Sequence, residues 1–292
     1  MVEELINVNK VRRSFSGATN SYDEHAELQR EIGRRLLAHL EFTKINPSNI
    51  LDIGCGTGFF TRLLADKYKK AHIYATDISE NMICHTKAQH PKRLPWQRKY
   101  HHSVSDAVAL PFKDASFDLV TSNLAMQWVP EAQAMMKEMR RVLKPGGLML
   151  FSTFGRRTLV ELKQTLAHVN PEHTSSVLPF ADVMSLGNSL GECAVEDHVT
   201  DSDLFTLTYP DTISLMRELK GLGASAKAIK GRSGGLYGRA LLRDIENHYA
   251  KHFQHDGGRI HATFEALYAQ AWFKEYNYAD REGIIPIKVH SN

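Results

Sequence analysis

Residues 51–58 read Leu-Asp-Ile-Gly-Cys-Gly-Thr-Gly, and this stretch decides the fold. The residues at 49–53 (NILDI) are typical of a short buried strand, and those at 59–68 (FFTRLLADKY) have the spacing of a helix. Glycine permits positive φ and lets the backbone approach a ligand closely. The stretch therefore predicts a strand, a glycine turn and a helix. It is neither the G-x-G-x-x-G of dinucleotide-binding proteins nor a phosphate loop, which would end in Lys-Ser/Thr.

Strands and helices alternate downstream of this turn. The pattern predicts strands at 72–76, 100–104, 117–123 and 148–153, with helices at 79–89 and 131–143. Lys144 to Gly147 (KPGG) ends the second of these helices sharply. Such alternation implies right-handed crossovers and a mostly parallel α/β sheet with helices on both faces. Upstream, 24–42 predicts an amphipathic helix, and 10–23 a polar loop or short helix.

The regular alternation of one strand with one helix ends after residue 154. The pattern there predicts helices at 158–169, 181–190, 210–223 and 237–252, and strands at 194–200, 203–209 and 259–268. We interpret these segments as the last strands of a seven-stranded sheet, interrupted by a helical lid insertion. The sequence then predicts one domain over 1–275, with a lid at 1–30, a cofactor-binding core at 46–154, and insertion plus last strands at 155–275. The tail at 276–292 carries little pattern.

The composition narrows the class of protein. Of 292 residues 42% are hydrophobic and 24% charged, and the net charge is only +3, so neither nucleic-acid nor membrane binding is expected from bulk charge. No secretory signal or membrane-spanning run is visible. Three cysteines, far apart and odd in number, predict no disulfide framework, and fifteen scattered histidines predict no metal site. We expect a cytoplasmic protein.

Five segments occur in the order typical of one enzyme class. They are Asp52 to Gly58 (DIGCGTG), Asp77-Ile78-Ser79 with Met82, Asp106-Ala107 with Leu110-Pro111-Phe112, Phe117 to Val120, and Arg141 to Gly147 (RVLKPGG). Together they resemble the signature of class I methyltransferases, which have a Rossmann-like fold and use S-adenosylmethionine (SAM) as cofactor. The alternative for the glycines is a tight turn that binds nothing, and for Asp106 a helix or turn cap.

The resemblance assigns roles to individual residues. It implies that Asp52 and Gly54 to Gly58 flank the methionine part of SAM, and that Asp106 accepts a hydrogen bond from the adenine amino group. Asp77 ends a predicted strand, where a carboxylate can accept both ribose hydroxyls. The predicted cofactor residues are Asp52, Gly54, Cys55, Gly56, Gly58, Asp77, Ile78, Met82, Asp106, Ala107 and Asn123.

The flanks resemble the malonyl-acyl-carrier-protein O-methyltransferases of biotin synthesis. The matching pieces include Val11 to Phe15, Tyr22-Asp23, Leu28-Gln29, Ser122 to Ala125, Gln127-Trp128, Phe151 to Gly155, Glu161-Leu162, Tyr209-Pro210-Asp211, Gly231-Arg232 and Gly238-Arg239. The resemblance covers about residue 10 to Trp272. One position departs from the family pattern: Arg156-Arg157 stands where a small residue or proline is expected after Phe154-Gly155.

The implied reaction, methylation of a carboxylate, requires no acid or base residue from the protein. A carboxylic acid with a pKa of roughly 4 is already ionised at neutral pH, so no general base is needed. Catalysis then depends on positioning and on excluding water. The sequence offers Tyr22 and Trp128 for positioning, each with a packing role as the alternative. Substrate-side candidates are Arg232, Arg239, Arg156 and Arg157, with solvated surface charge as the alternative.

The expected acceptor is malonyl on an acidic acyl carrier protein, or malonyl-coenzyme A. A basic excess in the insertion predicts carrier docking, and its residues are Arg156, Arg157, Arg217, Lys220, Lys227 and Lys230. Two other functions stay open at this point. One is methylation of a different small molecule, such as a quinone or another free acid. The other is that of a relative of the complex I assembly factors, which act on or bind a protein.

Overall fold

The computed structural model describes residues 6–19, 21–89, 100–169, 178, 180–193, 197–222 and 239–273. Its helices are α1 (Val8–Ala18), α2 (Tyr22–His25), α3 (Glu27–Ala38), α4 (Phe59–Lys67), α5 (Glu80–Gln89), α6 (Ala132–Val142), α7 (Val160–Val169), α8 (Val183–Glu192), α9 (Thr212–Gly221) and α10 (Arg239–His252). Its strands are β1 (Asn49–Ile53), β2 (His72–Asp77), β3 (Tyr100–Val104), β4 (Phe117–Asn123), β5 (Leu143–Phe154), β6 (Asp197–Tyr209) and β7 (Ile260–Trp272).

The strands form one seven-stranded sheet in the order β3-β2-β1-β4-β5-β7-β6. The first five strands are parallel, and β7 pairs antiparallel with both β5 and β6. The predicted fold class, a mostly parallel Rossmann-like sheet, is confirmed. The bounds predicted for β1, β3 and β4 match the structure, and α9 and α10 lie between β6 and β7 as the predicted insertion requires.

Helices cover both faces of the sheet, which explains why most residues of the central strands β1 and β4 are buried. On one face, residues of α3, α4, α7 and α10 pack against the sheet, among them the fully buried Ile32, Leu64 and Tyr249. On the other face, α6 and α8 supply residues such as Met135 and Leu190, which are also fully buried. The two layers leave the carboxyl ends of the parallel strands free for a site.

The prediction of two strands at 194–200 and 203–209 is wrong, because one continuous strand, β6, runs over Asp197–Tyr209. The polar run Asp201-Ser202-Asp203 has the composition of a turn, yet each of its residues pairs with β7. Since β6 is an edge strand, its polar side chains meet solvent rather than a core, and charges also discourage pairing with another chain. Asp203 forms an ion pair with Arg35, whose Nη1 lies 2.9 Å from Asp203 Oδ2.

The N-terminal region also differs from its prediction. Residues 10–23 contain a true helix, α1, whose N-cap Asn7 accepts a hydrogen bond from the Lys10 amide at 3.0 Å. The single helix predicted at 24–42 is broken at Ala26, where φ is −92° and ψ is 27°, into α2 and α3. This break directs α2 toward the carboxyl edge of the sheet. None of the described helices is long and apolar enough to cross a membrane.

Candidate cofactor pocket and active site

A pocket lies at the carboxyl ends of β1, β2, β3 and β4, where sheets of this kind bind ligands. Ten residues that the sequence predicted for the site line it together: Gly54, Gly56, Asp77, Ile78, Met82, Asp106, Ala107, Asn123, Tyr22 and Trp128. Apolar residues that the sequence did not single out complete the wall, among them Val8, Phe15 and Pro130. The pocket therefore has a polar side at the strand ends and an apolar side under α1.

The glycine turn is built so that other residues do not fit. Gly54, Gly56 and Gly58 have φ of 69°, 53° and 81°, a region that strains residues with a Cβ. A Cβ on Gly54 would lie 2.3 Å from Ala125 Cβ, and one on Gly58 would lie 2.6 Å from Thr86 Cγ2. A Cβ on Gly56 would meet nothing within 4 Å. Because Gly56 lines the pocket, the open space beside it is part of the pocket and can be occupied by a ligand.

Asp77 closes one side of the pocket at the end of β2. Its Oδ2 accepts a hydrogen bond from the Gly56 amide at 3.0 Å, and its Oδ1 accepts one from the Ser79 amide at 2.8 Å. Burial raises the pKa of Asp77 above its ordinary value, and the hydrogen bonds from backbone amides oppose that rise. A carboxylate has about four acceptor positions. Asp77 thus retains capacity for two donors from a ligand, as a ribose diol would require.

Three predicted cofactor residues do not line the pocket. Cys55 is buried beside Ala75 and Ile83, and Gly58 is at the start of α4. Asp52 is 1% exposed and accepts hydrogen bonds from the hydroxyls of Thr61 at 2.5 Å and Thr121 at 3.4 Å. Thr61 is on α4 and Thr121 is on β4. Asp52 therefore connects α4 to β4 by hydrogen bonds beneath the glycine turn. Its contact with a cofactor stays a prediction.

The environment of Asp52 predicts an unusual pH dependence. The pKa of Asp52 is raised to about 7, mainly by burial. Hydrogen bonds from the Thr61 and Thr121 hydroxyls act in the opposite direction and offset only part of that rise. In the unfolded chain an aspartate has a pKa of roughly 3.9, so the folded chain holds the proton more tightly. The free energy of unfolding therefore falls as pH rises from about 4 to about 7, because the native state binds more protons in that window.

Asp52→Asn removes this titration. We expect the variant to gain stability relative to the native chain, by about 2 kcal/mol, between pH 5 and pH 8. Denaturant unfolding of both proteins at the two pH values measures this difference. Asp66→Asn, at an exposed position on α4, serves as the control and should show no such change. A stability difference between Asp52→Asn and the native chain that is equal at both pH values would contradict the assignment.

The N-terminal helices cover the pocket with aromatic side chains. The Phe15 ring of α1 stands edge-on to Trp128, with centroids 5.4 Å apart, and lies 6.5 Å from the Tyr22 ring. Burial and the nearby carboxylates of Asp77 and Asp23 raise the pKa of Tyr22 well above its ordinary value. Tyr22 therefore keeps its proton at neutral pH and is available as a hydrogen-bond donor.

Two polar contacts that the sequence did not predict join this cover to the pocket wall, one at the glycine turn and one between β2 and α5. The Thr57 hydroxyl, in the glycine turn, donates to Asp23 Oδ1 at 2.7 Å. The Ser16 and Ser79 hydroxyls lie 2.9 Å apart and share a hydrogen bond. Hydroxyls next to a glycine turn carry no sequence signal of a long-range partner. Only the family resemblance of the N-terminal residues, Val11 to Phe15 and Tyr22-Asp23, pointed to this region.

The substrate-side arginines receive little support from the described residues. Arg156 and Arg157 follow β5 and are exposed, and neither lines the pocket. Arg156 Nη1 lies 3.6 Å from Asp182 Oδ2, an ion pair open to solvent. Of the other predicted basic residues, Arg217 and Lys220 are exposed on α9, whereas Lys227, Lys230, Arg232 and the side chain of Arg239 lie outside the described residues.

No group of three or more His, Cys, Asp or Glu side chains is placed to hold a metal ion in the part of the chain that the structure describes. The pocket chemistry thus consists of two carboxylates, a glycine turn, backbone amides and an aromatic cover. Such a site can hold a polar ligand with hydroxyl and amino groups at the strand ends, and can shield its far end from water.

Comparison with known proteins identifies similar chains. A family profile described as a methyltransferase domain matches residues 51–151. A malonyl-[acyl-carrier protein] O-methyltransferase of Halorhodospira halophila is 39% identical over 96% of this chain and 93% of its own. One from a Methylovorus species is 37% identical over 97% and 95%. A putative methyltransferase structure from Bacillus halodurans has a TM-score of 0.57 at 18% identity, over 83% and 99%, which shows a shared fold.

Proposed function

The chain belongs to the malonyl-[acyl-carrier protein] O-methyltransferase family, and from that premise we propose that it methylates the free carboxylate of a malonyl thioester with SAM as donor. The expected acceptor is malonyl on an acyl carrier protein, and the methyl ester formed would start pimeloyl and biotin synthesis. The observation that carries the proposal is that eight of the eleven predicted cofactor residues line one pocket together with an aromatic cover.

The pocket fits SAM in three respects. Asp77 offers acceptors for ribose hydroxyls, and Asp106, on the same wall, offers one for an adenine amino group. The space beside Gly56 is open to a ligand. Ser105 also lines the pocket, and its buried Oγ has no hydrogen-bond partner among the described residues. A buried polar atom without a partner is costly, and a polar ligand would satisfy it.

When bound, SAM supplies a methyl group on a positively charged sulfur. The new bond joins a malonyl oxygen to the methyl carbon, and the carbon–sulfur bond breaks with its electron pair retained by sulfur. The products are a methyl ester and S-adenosylhomocysteine, with no proton transfer. The residues of this chain therefore need only orient and dehydrate the carboxylate. Phe15 and Trp128 exclude water on the apolar side, and Tyr22 remains a hydroxyl donor.

The curated relatives support this function over the two alternatives from the sequence, a quinone methyltransferase and a complex I assembly factor. The choice between carrier protein and coenzyme A, the docking role of Arg217 and Lys220, and the carboxylate-binding arginine stay proposals. Arg232 and Arg239 remain the candidates for the last of these because a guanidinium fork matches a carboxylate.

A panel of acceptors tests the proposal. Malonyl, succinyl and acetyl carrier protein and malonyl-coenzyme A are incubated in parallel with SAM and the purified chain, and the products are read by mass spectrometry. We expect a methyl ester on malonyl carrier protein and none on the acetyl form, which has no free carboxylate. Equal methylation of the acetyl form would place the methyl group elsewhere and contradict the proposal.

A further inference from the structure

The segment between β3 and β4 supplies three pocket residues, Ser105, Asp106 and Ala107, but is not part of the sheet. Asp106 and Ala107 line the pocket, and the chain then runs through Leu110 and Phe112 before β4 begins at Phe117. Asp106 stabilises its own turn, since its Oδ1 accepts from the Val108 amide at 3.2 Å and its carbonyl accepts from the Ala109 amide at 3.1 Å. The rest of this segment, 110–114, is held from outside by α6.

The Arg141 guanidinium on α6 holds the segment by three hydrogen bonds. Its Nη1 donates to the Phe112 carbonyl at 2.8 Å and to Asp114 Oδ1 at 2.7 Å. Its Nη2 donates to the Leu110 carbonyl at 3.1 Å. Two of these acceptors are backbone carbonyls on either side of Pro111, so the contact fixes the path of the main chain.

Glu138, one turn earlier on α6, completes the arrangement. Its two oxygens accept from Arg141 Nε at 2.7 Å and Nη2 at 2.8 Å, which orients the guanidinium. Glu138 Oε2 also accepts from the Leu110 amide at 2.9 Å. The hydrogen bond from Arg141 lowers the pKa of Glu138, and the hydrogen bonds to Glu138 and Asp114 raise the pKa of Arg141, so both groups stay charged.

We propose that the Glu138–Arg141 pair is a positioning device for recognition of the adenine amino group, acting through the segment that carries Asp106. The inference rests on the proposed function in taking SAM as the donor and Asp106 as the acceptor for its adenine amino group. A planar guanidinium with five donors can reach two carbonyls and two carboxylates at once, whereas a lysine ammonium cannot. The pair thereby sets where the Asp106 carboxylate stands relative to the pocket.

The test compares two ligands that differ at the adenine amino group and, because hypoxanthine takes its keto form, also in a proton on ring atom N1. S-adenosylhomocysteine and S-inosylhomocysteine, in which oxygen replaces that amino group, are titrated calorimetrically into the full chain. We expect the native chain to prefer the adenosyl ligand roughly 30-fold, the range for a hydrogen bond to a charged group. Arg141→Ala should lower that preference to under about 3-fold by weakening adenosyl binding only. Guanidinium at low, non-denaturing concentration should restore part of it.

Two variants separate this role from general loosening. Lys137→Ala, exposed on the same helix, should keep the native preference. Glu138→Gln should lose part of it, and this variant decides the matter if Arg141→Ala does not fold. The proposal is overturned if Arg141→Ala, or failing that Glu138→Gln, keeps the native preference. It is equally overturned if both ligands weaken together. Because no methyl acceptor is present, this outcome is independent of the malonyl assignment.

Discussion

Asp77→Ala is expected to lower the affinity of the chain for SAM roughly 100-fold or more, since two hydrogen bonds to a charged group contribute about 1.5–3 kcal/mol each. Asp77 stands at the end of β2, buried, and two backbone amides orient its carboxylate into the pocket. The change removes both proposed ribose contacts and also the hydrogen bond that orients the Gly56 amide. Calorimetric titration with SAM or S-adenosylhomocysteine measures the loss.

The same variant should affect the acyl acceptor far less, because Asp77 is on the side of the pocket assigned to the cofactor. We expect the KM for malonyl carrier protein at saturating SAM to change less than about 3-fold, because substitutions at distant sites without shared partners affect each other little. Asp66→Ala, at an exposed position on α4, is the matched control and should leave both constants unchanged. Equal losses for both substrates, or no loss for either, would rule out the ribose role.

Gly54→Ala is expected to abolish measurable SAM binding, even where the protein still folds. The new Cβ would lie 2.3 Å from Ala125 Cβ, and φ at this position is +69°. The turn must therefore move away from the pocket wall that Gly54 forms. A left-handed alanine alone costs only about 1–2 kcal/mol, so the steric contact accounts for most of the expected effect. SAM titration and thermal unfolding report the two consequences separately.

Two further variants distinguish the steric contact from backbone strain. Gly146 has a φ of +75°, but a Cβ there meets nothing within 4 Å, and the residue is remote from the pocket. Gly146→Ala should lower stability by about 1 kcal/mol and leave SAM binding intact. Ala125→Gly in the Gly54→Ala background removes the contacting methyl group and should restore part of the binding. If it restores none, strain rather than the contact with Ala125 disables the turn.

The central parallel strands were predictable because they are buried on both faces. The stretches at 49–53 and 117–123 each contain consecutive apolar residues, and the glycine turn fixes where β1 ends. The antiparallel edge was less predictable. In β6 the run Asp201-Ser202-Asp203 resembles a turn, and only the pairing with β7, some sixty residues later in the chain, keeps it extended. Local patterns do not encode such partners.

The site residues also fall into those that local sequence predicts and those that depend on distant partners. Glycines and strand-end carboxylates follow from chain order, and the structure brings Gly54, Asp77 and Asp106 together in one pocket. Asp52 shares the motif but points beneath the turn, toward Thr61 and Thr121, because alternate residues of a strand face opposite sides. The Asp23–Thr57 contact joins residues 34 apart across two elements, and no spacing rule predicts it.

The central claim is that the free carboxylate of a malonyl thioester receives the methyl group of SAM. Its most direct test is intact-mass analysis of malonyl carrier protein after incubation with the purified chain and SAM labelled with a heavy methyl group. The account predicts the mass gain of one labelled methyl ester on the malonyl group, released as labelled methanol by mild base. If SAM binds under the same conditions and the malonyl group gains no mass, the account is contradicted.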